Sequence, residues 1–411
     1  MRVLPINPPQ TYCSGSEPLA GNLDAFITDV SFRKIGDATE VGIPLERIMG
    51  EIRRKKPDIG ENAIRVANVV TDVDPPKPFK DLDELPYSEY HSVEMQQYLN
   101  TVSLEHTDNF DEKGIKDVVY RALGLIGFEP PKKVKSVLIK PNLCYYWDYS
   151  TGETTDPRVV SSLIDYIREK GSSKAEIKII ESDASAMRAK NAFKMLGYEA
   201  LAEEKSVELL NLSADETCEK DVTVGKHKFT LTLAHSILGC DLLINVPKLK
   251  VGPYASGQCL HITCALKNLF GCISKPRKVE FHPDLNEVIV GVNKLIKPSL
   301  TVVDGIVALG RQPVRLGLII AGRDNLAVDF VAAKVMGFDP HRIRYLRLAA
   351  EEGVGNVKGL RIVGENMEDF CKLFPRRSRI RFKIMWTTQL WLLRLYTRIS
   401  GDVVPSVLEE M

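Results

Sequence analysis

The chain has 411 residues, of which 44% are hydrophobic and 27% are charged, a composition that is typical of a globular protein. Its formal net charge is +1, so no overall field favours nucleic acid, and any function driven by charge must be local. The length suffices for one large domain with appendages or for two domains of ordinary size.

Cysteine usage and apolar runs bear on the cellular compartment. The 8 cysteines include no Cys-x-x-Cys pair, so zinc-ribbon and thioredoxin-type sites find no support in the sequence. Cysteines in a chain that needs no disulfide framework favour a reducing cytoplasm. We find neither a signal peptide nor a run of about 18 apolar residues that would span a membrane, and we predict a cytoplasmic protein.

The regular elements begin after a long N-terminal segment. Residues 1–107 are interpreted as an extension that packs on the main domain. Between residues 108 and 370, short apolar runs alternate with helical patterns, which predicts an α/β fold with a mostly parallel sheet flanked by helices. The predicted elements are a helix at 115–123, a strand at 134–139, a helix from Pro157 with Asp156 as its N-cap, a strand at 177–180, a hairpin at 221–233, strands at 241–246, 300–303 and 316–320, and a helix at 325–336.

Polar residues follow several of the predicted strands. In open α/β sheets, ligands bind outside the carboxyl ends of the strands, so these residues are expected to line one cleft. Lysines there would hold an anion or polarise a carbonyl, and carboxylates would orient the lysines, bind a cation or move protons. The alternative is ordinary turn and helix-cap chemistry, which is common for Asp and Asn after strands. The residues are Lys140, Asn142, Glu181, Asp183, Lys248, Lys250, Asp304 and Asp324.

The most informative segment runs from residue 245 to residue 271. It contains Lys248, Lys250 and Lys267, which require a counter-charge that a phosphate or carboxylate ligand would supply. His261 lies in the same segment and could act as a base or as a metal ligand. His282, a little further along, is a second candidate whose alternative is an ordinary loop histidine.

Several short motifs, in a fixed order, resemble the DUF362 family, a widespread prokaryotic family without a settled general reaction. The resemblance covers about residues 110–365, and it implies an α/β domain of the kind predicted above. Relatives are often joined to iron–sulfur modules, which associates the family with redox chemistry. The motifs are Leu138-Ile139-Lys140-Pro141-Asn142-Leu143, Thr155-Asp156-Pro157, Val246-Pro247-Lys248-Leu249-Lys250, Thr263 to Gly271, Val303-Asp304-Gly305, and Ala321-Gly322-Arg323-Asp324 through Ala327-Val328-Asp329.

Two departures from the family pattern affect the expected chemistry. Family members usually have Lys-Thr-His after the strand, whereas Val251 and Gly252 follow Lys250 here. Either His261 replaces the missing histidine, or that role is lost. No ferredoxin-like cysteine run occurs, so a built-in iron–sulfur cluster is not expected. An external electron carrier is still a partner that this hypothesis allows. The spacing of cysteines 259, 264 and 272 fits no standard ligand pattern, which favours structural cysteines.

The C-terminal region, residues 371–411, is predicted to form a basic amphipathic helix. Residues 376–400 carry arginines interspersed with tryptophan and leucine, and the uncharged run within them is too short to span a bilayer. Three interpretations are open: a helix packed on the protein, an interfacial helix on an anionic membrane, and nucleic-acid binding. The nearly neutral net charge argues against nucleic acid as a partner.

Two functional hypotheses follow from these observations. The first is an enzyme of redox or isomerase type that binds an anionic small molecule or cofactor. Its catalytic residues would be Lys267, His261, Asp304 and Asp183, and its ligand-binding residues would be Lys140, Asn142, Lys248, Lys250, Asn268 and Asp324. The second is a non-catalytic binding or scaffold protein at the membrane surface. The cofactor and any metal are not identified, since no nucleotide-binding fingerprint such as G-x-G-x-x-G is present.

Overall fold

The structure is a computed structural model that describes residues 100–374, apart from 145, 185, 186, 253, 256 and 257. The basic segment 376–400 and most of the N-terminal segment therefore lie outside the described residues. Within the described residues, no helix has the length and apolar character that crossing a bilayer would require.

A mixed sheet of ten strands forms the centre of the described part. Its path is β14-β1-β13-β12-β7-β2-β3-β4, and β8 joins it through β12 while β11 joins through β8. The strands are β1 (Thr101–His106), β2 (Ser136–Pro141), β3 (Glu176–Glu181), β4 (Glu208–Asn211), β7 (Leu242–Val246), β8 (Lys248–Val251), β11 (Ile262–Thr263), β12 (Leu300–Leu309), β13 (Pro313–Gly322) and β14 (Arg361–Gly364). Two separate two-stranded sheets are formed by β5 (Thr217–Val224) with β6 (His227–Ala234), and by β9 (Tyr254–Ala255) with β10 (Gln258–Cys259).

Strand direction confirms the predicted fold class. The neighbouring pairs β12–β7, β7–β2, β2–β3 and β3–β4 are all parallel. Strand β13 runs antiparallel to both β12 and β1. The sheet is thus mostly parallel, with one reversed strand in its path. Strand β1 lies inside the range that the sequence analysis assigned to the N-terminal extension, yet it pairs along its length within this sheet.

Helices cover both faces of the sheet. One core packs α1 and α2 against Val137 and Ile139 of β2, and the other packs α7 and α8 on the opposite face, which includes Leu138. Alternate residues of one buried strand therefore serve different cores, as expected for a sheet covered on both sides. The helices are α1 (Glu112–Leu125), α2 (Pro157–Lys170), α3 (Ala189–Met195), α4 (Tyr198–Lys205), α5 (His235–Gly239), α6 (Ala265–Asn268), α7 (Leu285–Leu295), α8 (Asn325–Val335), α9 (Arg344–Glu351) and α10 (Met367–Leu373).

Local sequence patterns account for several of these elements. The Asp156 side chain accepts a hydrogen bond from the Arg158 backbone N–H, which confirms the predicted N-cap of α2. Pro157 occupies the first turn, where its missing N–H costs nothing. Strands β5 and β6 form the predicted hairpin. Gly225 lies in its turn with φ +57°, a conformation that glycine adopts without strain.

Strand β12 differs from the sequence-based prediction. It was expected to end before Asp304 and Gly305, but it continues to Leu309. Asp304 pairs with Lys248 of β8, so it lies beyond the end of β7 while remaining inside a strand. The apolar residues after Gly305 continue the strand because β8 and β13 supply pairing partners on both sides, which periodicity along a single strand does not reveal.

Two glycines with the same φ allow a test of how tightly β1 is held. Gly317 and Gly225 both have φ +57°, but an added Cβ would lie 2.0 Å from the Thr107 carbonyl oxygen at Gly317 and would meet no atom within 4 Å at Gly225. We expect Gly225→Ala to cost about 1 kcal/mol of unfolding free energy through backbone strain. Gly317→Ala should cost more than about 3 kcal/mol, because a steric clash adds to the same strain. Urea denaturation measures both, and equal losses would contradict the described packing of β1 on β13.

Candidate functional site

Three buried lysine–carboxylate pairs lie where the central parallel strands end. The first joins neighbouring strands, with Lys140 Nζ 2.7 Å from Glu181 Oε2. Lys140 also donates a hydrogen bond to the Pro141 carbonyl oxygen at 2.6 Å, and Glu181 accepts one from the Ser182 backbone N–H at 2.9 Å. The charge of Lys140 is thus neutralised within the fold, and the pair links the ends of β2 and β3.

The second pair joins β8 to β12. Lys248 Nζ lies 2.7 Å from Asp304 Oδ2, and neither side chain has any solvent exposure. The same Asp304 oxygen accepts a hydrogen bond from the Asp156 backbone N–H at 2.7 Å, and Oδ1 accepts one from the Ile306 N–H. Burial raises the pKa of Asp304, while the charge of Lys248 opposes that shift. This pair connects the start of α2 to the sheet from inside the fold.

The third pair joins β8 to the loop before α2. Lys250 Nζ lies 2.8 Å from Glu153 Oε2 and donates a second hydrogen bond to the Glu153 carbonyl oxygen at 2.9 Å. Glu153 was absent from the sequence-based candidates, because it lies in a loop and does not follow a predicted strand. Only the folded chain brings this carboxylate to Lys250.

Two further lysines form no ion pair with the described residues. Lys267 lies in α6, half-buried, with Nζ 4.0 Å from the centroid of the Phe270 ring. Lys278 is buried and donates hydrogen bonds to Ser182 Oγ and to the Asp183 carbonyl oxygen, the latter at 2.7 Å. Sequence analysis did not select Lys278, because it follows a loop rather than a strand. These two ammonium groups are the ones that a ligand anion could neutralise.

The surroundings lower the pKa of both lysines. Burial is the largest cause for Lys267, whose pKa falls to about 7. The Cys144 thiol opposes this shift, and the positive charges of three neighbours add to it, namely Lys250, Lys278 and Lys140. Burial likewise lowers the pKa of Lys278 to about 8. An amine with a pKa near 7 exchanges protons readily at neutral pH.

The short helix α6 is held by a carboxylate that sequence analysis quoted only as part of a motif. Asp329 of α8 accepts hydrogen bonds from the backbone N–H groups of Ala265 at 2.6 Å and Leu266 at 3.0 Å. Burial raises the pKa of Asp329 to about 7. Because α6 carries Lys267 and Asn268, the hydrogen bonds to Asp329 fix the backbone position from which both side chains extend. The alignment of α6 with the site therefore depends on a contact from a distant part of the chain.

The predicted catalytic histidine, His261, contacts an aromatic ring. His261 has φ +58°, and its ring makes a T-shaped contact with Phe338, with centroids 5.6 Å apart. For the other candidate, His282, burial and then the charge of Lys267 lower the pKa of the imidazole. The catalytic role of His261 stays a prediction.

Two predicted aspartates have structural partners. Asp183 Oδ1 accepts hydrogen bonds from the Ala189 backbone N–H at 2.9 Å and from Asn211 Nδ2 at 3.1 Å, which hold it against α3 and β4. Asp324 caps α8 by accepting hydrogen bonds from the Leu326 and Ala327 N–H groups. The register of the sheet places Gly322, two residues before Asp324, level with Thr301, Asn245 and Lys140. The expectation that Asp324 shares the lysine cleft stays a prediction.

Metal binding and thiol chemistry find little support among the described residues. They include no group of three or more His, Cys, Asp or Glu side chains arranged to hold a metal ion. Burial raises the pKa of Cys272 to about 12 and that of Cys144 to about 11, and it raises the pKa of Cys264 as well. Thiols with raised pKa values are poor nucleophiles and poor metal ligands.

Comparisons with known proteins support the resemblance to a family. The model of the family described as "Domain of unknown function (DUF362)" matches residues 137–334, which confirms the resemblance inferred from the motifs. A thylakoid-associated protein of Synechocystis sp. is 29% identical over 233 residues, which cover 53% of this chain and 68% of that protein.

Two solved structures overlap with this one in part. They are the lactate racemase apoprotein from Thermoanaerobacterium thermosaccharolyticum, at 13% identity and a TM-score of 0.35, and a protein from Thermotoga maritima, at 13% identity and a TM-score of 0.34. The matches cover 56% and 60% of this chain, and 57% and 60% of those chains, respectively. At these values the likeness carries no functional argument.

Replacing Lys248 with methionine tests the fully buried pair. The change leaves Asp304 without its cation, and we expect a loss of about 3–5 kcal/mol of unfolding free energy near neutral pH. The loss should shrink as the pH falls towards 4. Burial holds the folded-state pKa of Asp304 above 3.8, so the folded variant gains a proton before the unfolded chain does and is relatively stabilised by acid.

The matched control for this experiment is Lys294→Met. Lys294 pairs with Glu352 at 2.7 Å, and the two side chains are 31% and 21% exposed. A partly exposed pair contributes about 0–1 kcal/mol, so the control should be nearly neutral and independent of pH in the same range. Urea denaturation between pH 4 and about 8 measures both variants. Similar losses of unfolding free energy in the two variants would contradict the expectation that removing Lys248 leaves a costly unpaired charge on Asp304.

Proposed function

The chain contains a DUF362 domain at residues 137–334, and we propose that the lysine-rich end of its sheet is the active site of an enzyme acting on a small anionic molecule. The observation that carries this proposal is the contrast among five lysines. Lys140, Lys248 and Lys250 are neutralised by carboxylates, whereas Lys267 and Lys278 form no ion pair with the described residues.

Electrostatics supports an anionic ligand. A buried cation without a counter-charge is costly, and proteins relieve that cost by pairing it or by releasing its proton. The lowered pKa values of Lys267 and Lys278 correspond to the second outcome in the ligand-free protein. A carboxylate or phosphate beside these amines would favour their charged forms and would be held by them.

Proton transfer is the chemistry that Lys267 is suited to perform. At neutral pH a large fraction of an amine with a pKa near 7 is neutral, and Nζ can then accept a proton. The proton would come from a C–H or O–H group next to the anionic group, and the electron pair would stay on the ligand. This step is shared by isomerisation and by alcohol oxidation, so it supports both classes. An electron carrier remains an expectation for the oxidation alone.

The titration of Lys267 is the first test. We expect competitive acylation, followed by mass spectrometry of peptides, to show reactivity of Lys267 rising with a midpoint near pH 7. The exposed Lys190 serves as the internal reference within the same digest. Added inorganic phosphate should move the Lys267 midpoint upward, since an anion stabilises the charged amine. A midpoint above about 9 without phosphate would remove Lys267 as the base.

Bound ligand provides the second test. Native mass spectrometry of protein purified without oxygen should detect an anionic molecule that is lost in Lys267→Met and retained in Lys294→Met. Incubation of the protein with that molecule in D2O should then exchange a ligand C–H for deuterium if Lys267 acts on carbon. Retention of the molecule in Lys267→Met, with an unchanged fold by circular dichroism, would contradict the proposal and favour a binding module.

A membrane-surface scaffold is the second candidate. It is supported by the name of the thylakoid-associated relative and by the basic, aromatic segment 376–400, which lies outside the described residues. Neutralising Arg376, Arg377, Arg379 and Arg381 with glutamine should abolish flotation on vesicles of phosphatidylglycerol, with little binding to phosphatidylcholine in either form. The charge-matched control neutralises four exposed lysines elsewhere, namely Lys113, Lys174, Lys190 and Lys220. Equal loss in both would indicate non-specific attraction.

A further inference from the structure

Five asparagine side chains form a continuous chain of amide hydrogen bonds through the domain. Each Nδ2 donates to the Oδ1 of the next residue, and the sequence of donors and acceptors begins at the end of β2 and finishes in α7. Four of the five asparagines are buried, and Asn142 is half-buried. The bonds are Asn142 to Asn268 at 3.0 Å, Asn268 to Asn245 at 2.8 Å, Asn245 to Asn325 at 3.3 Å, and Asn325 to Asn293 at 3.0 Å.

Backbone carbonyl groups determine the direction of this chain. Asn268 Nδ2 also donates to the Lys140 carbonyl oxygen at 3.2 Å, and Asn245 Nδ2 donates to that of Ala265 at 3.0 Å. A carbonyl oxygen only accepts hydrogen bonds, so it requires the nitrogen end of each amide to face it. The opposite orientation would place an amide oxygen against the Lys140 carbonyl oxygen at Asn268 and against the Ala265 carbonyl oxygen at Asn245. The oxygen of each amide must therefore face the preceding asparagine.

This direction has a consequence at the site end of the chain. Because Asn268 presents Oδ1, Asn142 must present Nδ2 to it, and the Asn142 oxygen is turned away from the chain. That oxygen is buried and accepts no hydrogen bond from the described residues. Buried polar atoms without a partner are uncommon in folded proteins and require an explanation. Asn142 follows the Lys140–Pro141 end of β2, at the same end of the sheet as the ion pairs.

The carboxylates of the three ion pairs already have donors. The Glu181 carboxylate accepts hydrogen bonds from Lys140 and from the Ser182 N–H, Glu153 accepts from Lys250, and Asp304 accepts from Lys248. The lysine amines act as donors whenever they are charged. Unlike these carboxylates, the Asn142 oxygen has no donor among the described residues, so its capacity to accept a hydrogen bond is unused.

We propose that Asn142 Oδ1 receives a hydrogen bond from the ligand, so that the anionic molecule is a small carboxylate bearing a hydroxyl or amino group. This inference rests on the proposed function, because it names the class of molecule that the lysines hold. The unpaired lysines bind the carboxylate, and the oriented amide selects for a donor near it. A site that presents a fixed acceptor rejects analogues that lack the donor, because the acceptor then stays unpaired.

Three matched carboxylates test the inference on the full-length protein. Glycolate carries a hydroxyl donor, methoxyacetate carries an oxygen that cannot donate, and acetate carries neither. We expect ligand-observed NMR titration to give glycolate an affinity about tenfold above that of the other two, the effect of one net hydrogen bond. In Asn142→Leu this preference should disappear while acetate still binds, and in Lys267→Met all three should bind more weakly.

The outcomes separate this inference from the function on which it rests. Equal affinities for the three carboxylates, all weakened in Lys267→Met, would overturn the role of Asn142 and leave the anion site intact. Binding of inorganic phosphate alone would overturn the carboxylate class in the same way. Failure to bind any of the three carboxylates or phosphate would overturn both proposals. The comparison in the unchanged protein decides these cases even if Asn142→Leu folds poorly.

Discussion

The need to neutralise buried lysines is the constraint on which the end of this sheet depends. A lysine ammonium group cannot be removed from water without a counter-charge or the loss of its proton. Lys140 and Lys248 are buried almost completely, and each has a carboxylate within 2.7 Å. Because the partners come from different elements, each pair also joins two parts of the chain: β2 to β3, and β8 to β12. The same contacts thus satisfy the charges and align the strand ends.

Lys267 and Lys278 differ from Lys140 and Lys248 in how their charge is balanced. Burial and neighbouring positive charges lower the pKa of both, and neither forms an ion pair with the described residues, although the charges of Glu181 and Asp183 partly oppose the shift at Lys278. Lys267 is held in place through α6, whose first N–H groups bind Asp329. A group that carries its charge at a free-energy cost is the group that a ligand can most readily stabilise. In the proposed function, the paired lysines stabilise the fold, and the lysines without an ion pair bind the ligand.

The asparagine chain adds a directional element to this electrostatic arrangement. Charges attract an anion without specifying the rest of the molecule, whereas a fixed amide distinguishes a donor from an acceptor. Carbonyl groups of β2 and α6 orient the amides, so the polarity of the chain originates in the fold itself. In the proposed site, the fold determines that Asn142 presents an acceptor to the ligand, and the lysines supply the positive charge.

The sequence by itself determined the fold class, the N-cap at Asp156, the hairpin around Gly225 and the resemblance to a family, because periodicity, capping and motifs are local properties of the chain. It also selected Lys140, Asn142, Lys248, Lys250 and Lys267, which lie together at one end of the sheet. Only the tertiary structure decided that Asp324 caps α8, that Glu153 and Glu181 neutralise lysines, that Lys278 donates a hydrogen bond to the Asp183 carbonyl oxygen, and that Asp329 binds the start of α6. The reason is physical: hydrophobic patterning reports which faces of an element are buried, but strand direction and the pairing of distant charges arise only when the elements assemble.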